Sequence, residues 1–373
     1  MTTIGLTMIV KNEAGVIRRC LASVRPLLDY CLIVDTGSED GTQQVIRDYL
    51  SEINLPGTVV DRPWRNFADN RSEGLALLRE IGWIDYGFTI DADEFLVPDA
   101  DFDPVMFKQS LTKALYGVVI RQNDTQFTRT LLFSNRKPIA FRGVLHEHIG
   151  RAPGLDHGTA EGFHVRTTQE GARSRNPTKY GDDAALLELA LTTETDPSLR
   201  ARYTYFLGQS YRSAGIFEKA LEAYLRRADM GAPLEMVFLS LQRAGQIAEQ
   251  LGQPPERSLS LYLRAHEVDP KRAEALCGAA RASRLGGHYA DAYAYAKRGL
   301  DLSPPPPGAI TDTSVYAWRM LDEFQIAAYW AAHFEESLDA ATRLLEEQRF
   351  PDTERDRIAA NALFAIEAVE KQA

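Results

Sequence analysis

Over about the first hundred residues, short apolar runs alternate with stretches of helical spacing, and each run stops at polar residues. The runs are IGLTMIV (4–10), YCLIVD (30–35), GTVVD (57–61) and the segment leading into FTIDADEFLV (88–97). Between them lie EAGVIRRCLASV (13–24), TQQVIRDYL (42–50) and a helical stretch over 67–80, with Ser38 or Asp40 expected to cap the second helix. Such alternation leaves few arrangements open: a Rossmann-like, mainly parallel sheet with helices on both faces. Ligands in such sheets gather at the carboxyl ends of the strands. Here those ends read Lys11-Asn12-Glu13, Asp35-Thr36-Gly37-Ser38, Asp61-Arg62 and Asp91-Ala92-Asp93-Glu94. One acidic strand end is an ordinary turn, but four polar ends in series predict a site along one edge.

The acidic cluster narrows the chemistry. A strand ending in Asp-x-Asp points Asp91 and Asp93 to the same side, where they can share a hard divalent cation. The alternative is a solvated acidic turn. A glycoside hydrolase needs its two carboxylates on opposite sides of the scissile bond, which this spacing does not offer. A sugar-phosphate nucleotidyltransferase should carry a Gly-rich, basic loop after the first strand, and MIVKNEAGVIRR has none.

From about 115 to 150 the runs YGVVI, RTLLFS and PIAFRGVLHEHI read as shorter strands without intervening helices. From about 180 onward the sequence is helical and rich in Ala and Leu. YTYFLGQSYRSAGIFEKALEAYLRRA (203–228) carries Leu207-Gly208, Tyr211, Gly215, Ala220 and Tyr224, a pattern resembling the tetratricopeptide helix pair of about 34 residues. SLSLYLRAHEVDP ends at Pro270, and the next copy ends near Pro304, one such period later. A weaker copy covers 326–351, and SPPPPG (303–308) marks a linker within the array. A generic helical bundle is the alternative. The expected division is 1–170 for the sheet domain and 171–373 for the repeats.

At 373 residues there is room for two cores, and 45% hydrophobic with 25% charged residues is an ordinary globular balance. A net charge of −10 argues against a nucleic-acid grip. The N-terminal apolar run is too short for a signal peptide, and no segment reaches membrane-spanning length. Cys20, Cys31 and Cys277 are scattered, which predicts neither a disulfide frame nor a zinc site and suits a cytoplasmic location.

Taken together, MIVKNE (8–13), IVDTGSEDGT (33–42), FADNRSEGL (67–75), DADE (91–94) and FRGVLHEHI (141–149) resemble the family 2 glycosyltransferases of GT-A fold, over about the first 165 residues. The whole chain resembles the subgroup that appends tetratricopeptide repeats, which includes peptide glycosyltransferases and enzymes of surface-polysaccharide or lipopolysaccharide assembly. The resemblance implies a UDP-sugar donor, Mn²⁺ or Mg²⁺, and inverting transfer. By the same resemblance Asp35 contacts the uracil, and Val10, Lys11, Asn12, Glu13, Arg71 and Ala92 line the nucleotide pocket. Asp91 serves both donor and metal, with Asp93 and His164 as the other metal ligands.

In an inverting transfer the acceptor must lose a proton, and Glu147 is the first candidate for that base, His146 the second. Alternatives stand beside these roles. Asp35 also suits a turn, Arg71 an exposed helix charge, His146 and His148 one face of an exposed strand, and His164 a structural position. Where relatives carry Arg-Asn, this chain has Arg71-Ser72. Arg173, Arg175 and Lys179 either screen a diphosphate or form a solvated loop. The acceptor is expected to be a Ser, Thr or Cys side chain of a peptide or protein, with a saccharide or lipid-linked acceptor as the alternative. A homodimer through the repeats is a further expectation. The rival from another class is a non-catalytic repeat scaffold with a vestigial transferase half.

Overall fold

The computed structural model describes residues 1–149 and 155–372. The chain divides into two compact units, Met1–Thr192 and Thr193–Ala373.

The first unit contains β1 (Ile4–Val10), α1 (Ile17–Val24), β2 (Tyr30–Asp35), α2 (Thr42–Glu52), β3 (Gly57–Asp61), α3 (Phe67–Glu80), β4 (Tyr86–Phe88) and β5 (Glu94–Pro98). It continues with α4 (Pro104–Ser110), β6 (Leu115–Gln122), β7 (Thr125–Ser134), β8 (Phe141–Arg142), β9 (His148–Ile149), β10 (His157–Thr159), β11 (Phe163–Thr167) and α5 (Lys179–Thr193). The sheet order is β3-β2-β1-β4-β7-β6-β11-β5, with β10 added beside β6. β1 pairs in parallel with β2 and β4, and β2 with β3, whereas β7 runs antiparallel to β4 and β6. β8 and β9 form a separate antiparallel pair.

Period-2 alternation distributes the core. Ile4, Leu6, Met8 and Val10 of β1 join Ile17, Cys20 and Leu21 of α1 and Ile46 of α2 in one apolar cluster. The intervening residues meet α3: a Cβ on Gly5 would lie 2.8 Å from Leu78, and one on Gly74 2.6 Å from the Thr7 hydroxyl. Helices thus cover both faces, as the alternation predicts. Because the chain steps from β1 out to β3 and returns to β4, the strand order reverses between β1 and β4. That crevice, at the carboxyl ends, is where doubly wound sheets bind ligands.

The second unit is helical: α6 (Pro197–Ser213), α7 (Phe217–Asp229), α8 (Leu234–Gln250), α9 (Pro255–Val268), α10 (Ala273–Leu285), α11 (Tyr289–Leu300), α12 (Met320–Trp330), α13 (Phe334–Glu347) and α14 (Arg355–Gln372). They pair as α6–α7, α8–α9, α10–α11 and α12–α13, each pair closed by a short turn. Gly215, Gly252 and Gly287 sit in three of these turns at φ of 76°, 64° and 78°, and Ala332 holds the equivalent place in the fourth at 64°. Small residues on one helix meet aromatics on the next. Tyr262 of α9 lies between Gly245 of α8 and Gly278 of α10, where added Cβ atoms would come within 2.7 and 2.6 Å of its ring. This recurrence of helix pairs is the tetratricopeptide-like architecture expected from the sequence. Residues 303–308 are non-helical, as the proline run requires.

The division at 192/193 lies beyond the 170/171 boundary read from the sequence. Residues 171–176 fold back onto the sheet edge: Gly171 N donates to Asp93 Oδ2 and Ala172 N to both oxygens of Glu13, each at 3.3 Å.

Candidate active site

The loops after β1 and β2 are laced together. Asn12, at φ 59°, accepts at its side-chain oxygen from Glu39 N (2.8 Å), while its own amide donates to Ser38 Oγ (2.9 Å). Glu13 N donates to Thr42 Oγ1 (2.8 Å) and Ala14 N to Asp40 Oδ2 (3.0 Å). Gly41 occupies the N-cap of α2 at φ 86°. Ser38 is drawn across to the β1 loop and does not cap the helix, whereas Asp40 serves both, its Oδ1 accepting from Thr42 N, the first amide of α2, at 3.0 Å. Val10 is buried, and its carbonyl accepts from both the amide and the hydroxyl of Thr36.

Asp35, fully buried at the end of β2, accepts at Oδ1 from Gly37 N (2.8 Å) and Ser38 N (2.7 Å). Its Oδ2 is buried with no partner. An unpaired buried carboxylate oxygen is costly, so a site that keeps one is a place for an incoming donor.

The acidic cluster differs from the extended Asp-x-Asp expected from the sequence. β4 stops at Phe88 and β5 starts at Glu94, so Asp91, Ala92 and Asp93 form the turn between two strands. The turn is fixed by Asp91 N donating to Glu94 Oε2 (3.1 Å) and Glu94 N to Asp91 O (3.0 Å). Charges alternate through the cluster. Arg71 of α3 donates through Nε to Glu147 Oε1 at 2.5 Å and through Nη2 to Asp91. Arg129 of β7 pairs with Glu94 and reaches Asp91 at 3.5 Å. Glu94 is buried and also accepts from Thr167 Oγ1 at 2.8 Å.

The electrostatic result separates the two aspartates. Burial works against ionisation of Asp91, but Arg71 and then Arg129 outweigh it and hold its carboxyl down at about 2. Asp93 is raised by burial and by Asp91. Glu13 is pushed up to about 7 by burial, against the Ala172 amide, with Asp93 adding repulsion. Asp93 and Glu13 are therefore the carboxylates still short of positive charge.

His164 does not reach this cluster. In β11 it faces Val97, whereas Thr167 faces Glu94. Three residues along a strand is about 10 Å and turns the side chain to the opposite face. Burial and Arg121 lower its pKa. Among the described residues no three His, Cys, Asp or Glu side chains form a group able to hold a metal ion. His146 lies in a bend at φ 51°, outside any strand, so the strand alternation expected for His146 and His148 does not arise. Ser72 is structural, because its hydroxyl accepts from Phe141 N at 2.9 Å and anchors β8 just ahead of Glu147.

The basic stretch is not simply solvated. Arg173 pairs with the buried Asp183 and stacks 4.9 Å over Phe67. Arg175 donates to the Glu170 carbonyl at 3.1 Å and Lys179 to Ser174 Oγ at 3.3 Å. Sequence reasoning missed Arg129 and the Gly171–Ala172 amides. A lone strand arginine and a small-residue loop carry no local signal, and only the fold brings them to the acidic turn.

These features define an α/β domain whose acidic turn and β1–β2 loops meet at the carboxyl ends of the strands. Residues 6–159 match the family model of glycosyl transferase family 2, and the helical repeats follow that stretch. A curated TPR repeat-containing protein from Synechococcus elongatus is 30% identical over 156 residues, covering 40% of this chain and 36% of the relative. The match thus spans about a third of that relative's length. Among solved structures, a tetratricopeptide repeat protein from Parabacteroides merdae is 18% identical, with a TM-score of 0.40, covering 52% of this chain and 72% of that one. A thermophilic TPR protein from Thermus thermophilus is 20% identical, with a TM-score of 0.36, covering 50% and 91% respectively. No helix among the described residues is long and apolar enough to cross a membrane.

Proposed function

We propose that the chain is an inverting glycosyltransferase that moves a sugar from a UDP-sugar to a Ser, Thr or Cys side chain of a peptide or protein. The observation that carries this reading is the unpartnered Asp35 Oδ2 at the end of β2. The ring N–H of a uracil is a donor of the kind that oxygen lacks, and Asp35 is already held in place by two backbone amides.

The residues at the turn suit a hard divalent cation. Asp91 and Asp93 supply oxygen ligands, and Asp93 and Glu13 are short of positive charge. Mg²⁺ commonly takes only one or two carboxylates and fills its shell with water and phosphate, so His164 is not required. Such a cation, when bound, stabilises the diphosphate as it departs. Glu147 takes the proton of the acceptor hydroxyl or thiol while the acceptor bonds to the anomeric carbon and the bond to UDP breaks. Arg71 orients Glu147, and His146 is the second candidate for the base. The helical repeats support a peptide acceptor, since such arrays present extended surfaces to partners.

The test incubates the full chain with UDP-glucose, UDP-N-acetylglucosamine and UDP-galactose and measures UDP release with and without Mn²⁺. Metal-dependent release that is lost in Asp93→Ala is expected. Glu147→Gln should slow turnover roughly 10²–10⁴-fold with donor binding retained. A larger loss in His146→Ala reassigns the base. No binding and no UDP release from any of these donors refutes the enzyme reading in favour of a repeat scaffold.

A further inference from the structure

Helix α14 turns Ile358, Ala362 and Ala365 inward. Its outer face presents Asp356, Ala360, Leu363, Phe364, Glu367 and Lys371 on successive turns, all exposed. Leu363 is 62% and Phe364 55% exposed, two large apolar side chains side by side at the middle of the helix. Two large apolar side chains exposed together on one helix face make a surface that gains by being covered.

We infer that this face pairs with the same face of a second copy, antiparallel, about a two-fold axis between residues 363 and 364. The charge order points to this occupant. Reversing the helix about that axis sets Leu363 against the partner copy's Phe364 and Ala360 against its Glu367. Asp356 then meets Lys371. Acid meets base at both ends, and the small Ala360 leaves room for the Glu367 stem. Within one copy Lys371 has only a 3.7 Å contact with Glu367, so its charge is free to engage across the axis. A parallel pairing would stack like charges, whereas the antiparallel one also opposes the helix dipoles. The contact is isologous and closes as a dimer.

The inference stands apart from the proposed activity and is tested without it. Sedimentation of the full chain over a dilution series should show a monomer–dimer equilibrium. Leu363→Glu combined with Phe364→Glu should leave only monomer, with an unchanged circular dichroism melt because both positions are exposed. Asp356→Lys should weaken dimerisation roughly 2- to 30-fold, since two exposed ion pairs are lost per dimer. Adding Lys371→Asp to it should restore the affinity. Leu363→Cys should form a disulfide-linked dimer on mild oxidation, the native cysteines being buried. A monomer at every concentration overturns the inference, as does a dimer indifferent to Leu363 and Phe364 or an uncrosslinked Leu363→Cys.

Discussion

Replacing Asp35 by Asn separates the two roles of its carboxylate. Oδ1 holds the turn through Gly37 N and Ser38 N, and Oδ2 waits for a donor. Asn keeps the first oxygen and puts an NH₂ in place of the second. The two amide bonds lose their charge assistance, about 1 kcal/mol each. Against this, the buried charge is removed, but the new NH₂ is itself a buried donor without a partner, so the desolvation cost is only partly relieved. Stability of the first unit in urea should therefore fall by about 1–2 kcal/mol. Binding should fall as well. A uracil N–H would face another donor, and losing a charge-assisted hydrogen bond of about 1.5–3 kcal/mol weakens binding about 10- to 150-fold. Calorimetric titration with UDP reads this directly. Asp35→Ala, which deletes both functions, should lose stability as well. Unchanged UDP affinity in Asp35→Asn would refute the assignment of Oδ2 to the ligand.

Other consequences follow from the same contacts. Arg71→Met strips the buried guanidinium from Asp91 and Glu147; removal of one partner from such a pair costs about 3–5 kcal/mol, and because Arg129 still serves Asp91 the lower end is expected in urea denaturation. His266 is buried with neither ring nitrogen partnered, and burial, then Arg298, lowers its pKa against the pull of Asp269 and Glu267. Its neutral form is favoured in the fold, so its stability contribution is complete above the ordinary histidine pKa and is lost as pH falls toward the depressed value. The melting temperature of the second unit should therefore drop on acidification below about pH 6.5, and less so in His266→Leu. Ala332 sits at φ 64°, where Ala costs roughly 1–2 kcal/mol and Gly gives back about 0.4–1 in unfolded-chain entropy. Ala332→Gly should raise stability by up to about 1 kcal/mol, and Gly287→Ala should lower it.

Local pattern carried much of the fold. β1, β2, β3 and α3 occupy the residues that alternation and helical spacing assign them, since each buries a face whose period is written in the sequence. The expected strand into Asp91 ended early because Glu94 is held by Arg129 and Thr167, contacts that come from β7 and β11 and leave no local trace. His164 was misplaced for a related reason. Its distance from Glu147 in sequence says nothing about the register of β11 on β5, which sets its face and height. Ser38 and Asp40 have the composition of helix caps, yet the β1 loop takes Ser38 outright and shares Asp40 with the first amide of α2. The placement of Arg71 between Asp91 and Glu147 needed both α3 and the 141–149 segment folded, so spacing alone left it an exposed charge.

Tyr262 belongs to two junctions at once. Its ring fills the space left by Gly245 on one side and Gly278 on the other, and its hydroxyl accepts from Arg281 at 3.2 Å. In a quasi-linear array, cooperativity is set by how much stabilisation resides between neighbours rather than within each pair. A side chain shared by α8, α9 and α10 ties the opening of one helix pair to that of the next, so these repeats unfold together instead of peeling off singly. Hydrogen exchange across α8 to α10 would then report one common opening energy, and Tyr262→Ala would split it into a gradient.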